Sequence, residues 1–164
     1  MHTRIVFQAA QALLQSGLPV LRFNFRGVGK SAGTHDRGVG EQADIAAAMA
    51  YMRSQYPLPL VLAGFSFGAA TLVRLLVRQA PAEVERVVLM GLPLGRGAPP
   101  AAWAWQGPKL MISGDHDAFA PVEELEAYYA ALPEPKARVW IAGGDHFMAG
   151  KSEEFRGALA AHLD

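Results

Sequence analysis

Of the chain's 164 residues, 51% are hydrophobic and 18% charged, a balance that excludes a disordered segment and predicts one domain over 1–164 with its own core. Fifteen lysines and arginines cancel fifteen aspartates and glutamates, so no global field gathers polyanions, and neither nucleic acid nor a membrane surface is expected as a partner. The absence of cysteine excludes disulfides, thiolate zinc sites and a cysteine nucleophile, and fits a reducing compartment.

The opening Met1-His2-Thr3-Arg4-Ile5 leads into mixed apolar and polar residues without the uninterrupted apolar core of a signal peptide, and no later stretch approaches about 18 apolar residues. A soluble, cytoplasmic protein is expected. Ile5, Val6, Ala9 and Leu13 recur at helical spacing, with Gly17 and Pro19 behind them, which predicts a helix over 3–15. Residues 19–25, rich in branched and aromatic side chains, predict a strand that enters the glycine-rich loop Arg26-Gly27-Val28-Gly29-Lys30-Ser31-Ala32-Gly33. A helix over 41–55 and a buried strand over 60–63 follow, then a helix over 67–79 with little polar surface. Strands are predicted at 86–90, 109–112 and 138–141, and helices at 122–131 and 153–163. Residues 93–106, with Pro99-Pro100, Trp103 and Trp105, are irregular and too short for a cap domain.

Five short apolar runs alternating with helices predict an α/β fold, a three-layer sandwich with a mostly parallel sheet. Ligands in such sheets bind at the carboxyl ends of strands, so residues directly after strands carry the chemistry.

After the strand at 60–63 stands Gly64-Phe65-Ser66-Phe67-Gly68, a Gly-x-Ser-x-Gly sequence between strand and helix, the context of a nucleophile elbow. Ser66 is the candidate nucleophile on a strained turn, and side chains at either glycine would collide with neighbouring backbone. The following helix aims its amino terminus at the serine, and the Phe67 amide is the candidate oxyanion donor. A serine alcohol needs a base and a carboxylate. Both follow strands, in Ser113-Gly114-Asp115-His116-Asp117 and Gly143-Gly144-Asp145-His146-Phe147. Asp115 and Asp117 compete for the acid. Asp117 lies further into the loop and can turn back toward a histidine, whereas Asp115 suits fixing the turn. Among the five histidines, His146 alone stands late in the chain after a strand.

Two other chemistries compete for these residues. Asp115-His116-Asp117 with Asp145-His146 suggests a metal site, but neighbours in sequence point apart and no pair has helical spacing, so no metal is expected. Gly27-Val28-Gly29-Lys30-Ser31 ends like a nucleotide phosphate loop, but Asn24 stands where that pattern needs its first glycine, and no helix follows at once. No cofactor is expected.

The segment Arg22-Phe23-Asn24-Phe25-Arg26-Gly27-Val28-Gly29-Lys30-Ser31-Ala32-Gly33, the serine pentapeptide, Gly114-Asp115-His116-Asp117 and Gly143-Gly144-Asp145-His146-Phe147 together resemble small, uncapped bacterial alpha/beta hydrolases of largely unassigned substrate, over nearly the whole chain. The resemblance implies Ser66 as nucleophile, Asp117 as acid and His146 as base, with Arg26 and Gly27 shaping the adjacent loop. It implies a serine hydrolase acting on a small or medium acyl substrate, in a shallow pocket bordered by Phe65, Trp103, Trp105, Phe67 and Phe119. An impaired fragment serving as an interaction module is the second reading.

Proteins of this family have strands before the first helix, and the last of these leads to a second oxyanion donor. The family's strand order places the third strand between the runs at 19–25 and 60–63, so an alpha/beta-hydrolase fold truncated at its N-terminus is expected, with a central vacancy. Upstream sequence, direct pairing of the two runs or a partner would close it, and an exposed gap would favour a homo-oligomer.

Overall fold

The computed structural model describes residues 3–95 and 100–162. In chain order the elements are α1 (Arg4–Gln15), α2 (Glu41–Gln55), β1 (Leu60–Phe65), α3 (Phe67–Arg78), β2 (Val84–Met90), β3 (Lys109–Gly114), α4 (Val122–Ala131), β4 (Lys136–Ile141) and α5 (Ser152–Ala160). The four strands pair in parallel in the order β1-β2-β3-β4. The helices at both chain ends match the sequence expectation to within a few residues; Leu163 of the expected last helix lies outside the described residues, as do 96–99 of the irregular stretch.

Successive residues of a strand face opposite ways, and here both faces are covered. Val87, Leu89 and Met111 join a core with α2, α3 and α4, where Ile45, Leu76 and Leu125 pack. Val88, Met90, Leu110 and Ile112 face the other way, onto Ile5 and Ala9 of α1 and Phe155 and Leu159 of α5. The continuous apolar runs of β2 and β3 are therefore the mark of a central position, and the result is the three-layer sandwich expected. No helix among the described residues is long and apolar enough to cross a membrane.

One predicted strand is absent. Residues 19–25 run without forming a ladder, so among the described residues the sheet has four strands instead of five. A strand exists only where a neighbour accepts its backbone hydrogen bonds, and the nearest candidate, β1, lies across a cavity of about 690 Å³. The cavity is bounded by residues 18–25 on one side and 60–65 on the other. Ala9 and Leu13 of α1 line it from one layer, and Ile45 and Met49 of α2 from the other. The two runs are thus not sheet neighbours, and the vacancy expected between them is an apolar slot in the plane of the sheet. Consistent with this edge position, Val61 and Leu62 are half-buried, whereas the same positions in β3 are buried.

Candidate active site

Ser66 stands at the join of β1 and α3 with φ 51° and ψ −118°, a backbone conformation unusual for a side-chain-bearing residue. The turn is held by the Ser66 amide, which donates to the Met90 carbonyl at 3.0 Å, and by the Ala70 amide, which donates to the Ser66 carbonyl at 3.0 Å. A Cβ at Gly64 would lie 2.8 Å from the backbone of Gly68 and Ala69, so the helix can follow the strand this closely only if position 64 has no side chain. Gly68 differs from the expectation: its nearest neighbour would be the Phe25 ring at 3.8 Å, an ordinary contact. The collision therefore constrains one glycine of the motif, because only Gly64 faces the first turn of α3.

β3 and β4 deliver the other two groups. His146 Nε2 lies 2.9 Å from Ser66 Oγ, and His146 Nδ1 lies 2.8 Å from Asp117 Oδ2. The imidazole and the carboxylate are both buried, 5% and 4% exposed, while Ser66 is half-buried at the surface of the turn. The ionised carboxylate accepts at Nδ1, which leaves Nε2 to take a proton from the serine. Asp117 is itself fixed by the Phe119 amide, donating to Oδ1 at 2.8 Å, and by the Ser113 hydroxyl, donating to Oδ2 at 3.3 Å. Sequence reading missed Ser113 in this part; its position four residues before the acid was the available signal.

The competition between the two aspartates is decided by direction. Asp115 accepts the Gly143 amide at 2.7 Å and so ties the β3 loop to the β4 loop, the turn-fixing role open to it. The same two loops meet where a Cβ at Gly114 would overlap the Gly144 carbonyl. His116 is exposed and takes no part in the triad.

Aromatic rings surround the imidazole. Phe65 lies 4.9 Å from His146 between ring centres and Phe119 4.5 Å. Phe147, not singled out in the sequence, lies 5.1 Å away. Phe119 and Phe147 are each 55% exposed and offer apolar surface beside the site. Phe67 follows Ser66, and its amide belongs to the first turn of α3, where N–H groups have no intrahelical acceptor.

Trp103 and Trp105 are not at the site. Both are 4% exposed core residues. The Trp105 indole donates to the carbonyl of Val84, where β2 begins, and both rings lie within 6 Å of the ammonium of Lys109, where β3 begins. They close the amino end of a sheet whose carboxyl end holds Ser66. Burial lowers the Lys109 pKa, and its ammonium donates to the carbonyls of Pro133 and Pro135.

The phosphate-loop reading also meets its geometry. The Gly27 amide donates to Ala32, the Ser31 amide to Val28, and the Ser31 hydroxyl to Asn24, so the loop spends donors on itself. α2 begins only at Glu41, so no helix follows the loop's glycines directly as an anion cradle requires. Arg26 instead grips Asp44 of α2 through Nε and Nη2 at 2.8 to 3.1 Å, the loop-shaping part expected of it.

Residues 1–158 match the model of the alpha/beta hydrolase domain family. In structure the chain is similar to an alpha-beta serine hydrolase homologue from Coxiella burnetii, with a TM-score of 0.91 and 33% identity, covering 100% of this chain and 78% of that one. An alpha/beta serine hydrolase without lid from Xanthomonas campestris gives a TM-score of 0.84 and 36% identity, covering 98% of this chain and 72% of that one. By sequence, a Rickettsia prowazekii protein is 30% identical over 99% of this chain and 72% of its own length. A relative from Mycobacterium tuberculosis is 32% identical, but the match spans 57% of its length. With its sheet, elbow and family match in agreement, the chain belongs to the alpha/beta hydrolase domain family.

Proposed function

We propose that this chain is a serine hydrolase that cleaves small or medium esters, or a related acyl bond, through an acyl-enzyme. The observation that carries the reading is His146 standing between Ser66 and Asp117, at 2.9 and 2.8 Å. His146 Nε2 takes the Ser66 proton as Oγ bonds to the acyl carbon, and the carbonyl oxygen becomes an oxyanion that accepts from the Phe67 amide. As the bond to the leaving group breaks, the imidazolium returns its proton to the departing oxygen. Water, deprotonated by the same nitrogen, then releases the acid and restores the serine. Asp117 stays ionised throughout and balances the imidazolium.

The exposed faces of Phe119 and Phe147 support an open apolar entrance, suited to substrates that need no deep enclosure. The test is incubation of the 164-residue chain with a fluorophosphonate, with the adduct mapped by intact and peptide mass. A single adduct on Ser66, absent in Ser66→Ala, is the expected result. A folded chain that takes no label, or takes it elsewhere, would remove the hydrolase reading and leave the interaction-module alternative.

A further inference from the structure

Two histidine and carboxylate pairs flank the serine turn, and the mechanism uses one. His146 and Asp117 stand on the Phe65 side. On the Phe67 side, Glu41 faces His35 Nδ1 at 2.9 Å, and the His35 ring rests on the Phe67 ring with centres 4.9 Å apart. Phe67 is the residue whose amide donates to the oxyanion in the proposed reaction, and the His35 ring packs against its side chain.

Glu41 is fully buried, at 0% exposure. Burial opposes its ionisation, but the amides of Asp36, Glu41 itself and Gly38, together with His35, outweigh that effect and hold its pKa below the ordinary 4.5. The Asp36 and Gly38 amides donate to it at 2.7 and 2.8 Å. An ionised carboxylate only accepts, so His35 Nδ1 donates to it and Nε2 is the nitrogen left for another group. The His35 side chain is 53% exposed, which keeps it accessible.

Three other charged groups at this loop have partners of their own. Asp36 accepts the Gly40 amide at 2.8 Å, Arg26 is paired with Asp44, and Arg74 donates to the Arg37 carbonyl at 3.0 Å. The loop is held tightly: Arg37 sits at φ 52°, and a Cβ at Gly27 would lie 2.9 Å from the His35 amide nitrogen. The two amides already anchor the loop to Glu41, so an imidazole is not required for that purpose.

We propose that His35, oriented by Glu41 and seated on Phe67, is a specificity-determining residue that offers Nε2 to an acceptor on the substrate and favours acyl groups ending in a carboxylate. This rests on the hydrolase reading above. With Nδ1 donating to Glu41, an N–H at Nε2 would donate to a substrate carboxylate. Charge-assisted bonds of this kind are stronger than neutral ones, and a neutral isostere forfeits one.

The test compares kcat/KM for 4-nitrophenyl hemisuccinate with that for its neutral methyl ester, in the unaltered chain, His35→Ala and His35→Gln. The ratio of acid to ester is expected to fall about tenfold in both variants, through KM. An unchanged ratio, or equal loss on both substrates with thermal stability retained, would overturn the inference. If the chain labels with fluorophosphonate but hydrolyses both esters too slowly to rank, protection of Ser66 from the label by succinate against monomethyl succinate gives the same comparison. Failure to label at all would bring down the hydrolase reading and this inference with it, whereas labelling without any dependence on His35 defeats this inference alone.

Discussion

The Phe119 amide donates to Asp117 Oδ1 at 2.8 Å, leaving Oδ2 to face His146. This bond and the Ser113 hydroxyl on Oδ2 aim the Asp117 carboxylate, and a neutral side chain at 117 cannot hold the imidazole in the same tautomer. Asp117→Asn is expected to lower kcat by about 10³ to 10⁴ with little change in fold. Asp115→Asn, which touches the Gly143 amide and not the triad, should keep kcat within a few fold. Ester hydrolysis by the two variants checks both; equal losses would mean the acid has been misassigned.

The two glycines of the serine motif should respond differently. Gly64→Ala places a Cβ 2.8 Å from backbone that has nowhere to move, and a loss of about 1 to 3 kcal/mol with loss of labelling at Ser66 is expected. Gly68→Ala meets only the Phe25 ring at 3.8 Å and should fold and label normally. Urea midpoints and fluorophosphonate labelling rates separate the two.

Trp105 and Phe119 divide stability from substrate handling. Trp105→Ala empties a buried position and is expected to cost about 3 to 5 kcal/mol. Phe119→Ala removes a ring that is 55% exposed, so stability should move by no more than about 0.5 kcal/mol while KM for apolar esters rises. Denaturant unfolding beside Michaelis kinetics gives both readouts, and the opposite pattern would return Trp105 to the site.

Glu41 contributes an acid limb to stability. Its folded pKa lies below the ordinary 4.5, so its stabilisation is fully present above about pH 4.5 and is lost as pH falls through the depressed folded value. Glu41→Gln should be destabilised at neutral pH, with the difference from the parent chain shrinking below pH 4. Urea midpoints measured from pH 7 to pH 3 check the sign: a gap that widened in acid would contradict it.

The slot beside β1 makes the edge of the sheet vulnerable. Hydrogen exchange should be about a hundredfold or more faster at the cavity-facing amides of β1 than at the amides of β3, which has a strand on each side. Equal protection in the two strands, with matching protection over residues 19–25, would mean that this run has closed onto β1 as a ladder.

Legibility in the sequence followed the range of the forces involved. The β2 and β3 strands were readable because a strand covered on both faces must be apolar at every position, and Ser66 because strand, tight turn and helix are local. Residues 19–25 are likewise rich in branched and aromatic side chains but form no ladder, since composition reports a preference and pairing needs a partner across space. The tryptophans misled for a related reason: Trp103 and Trp105 stand close to a strand in sequence, but before its start, and only the end of a strand leads to the site.

By itself, then, the sequence determined the alternation of helix and strand, the elbow at Gly64 to Gly68 and the order of serine, acid and histidine, because each depends on residues adjacent in the chain. The tertiary structure decided which aspartate faces His146, that Phe147 joins Phe65 and Phe119 around it, that Glu41 and His35 form a second pair beside Phe67, and that a slot separates residues 19–25 from β1. Those depend on loops from different strands meeting in space, and the direction of a side chain in a loop is set by the neighbours that donate to it rather than by its own place in the chain.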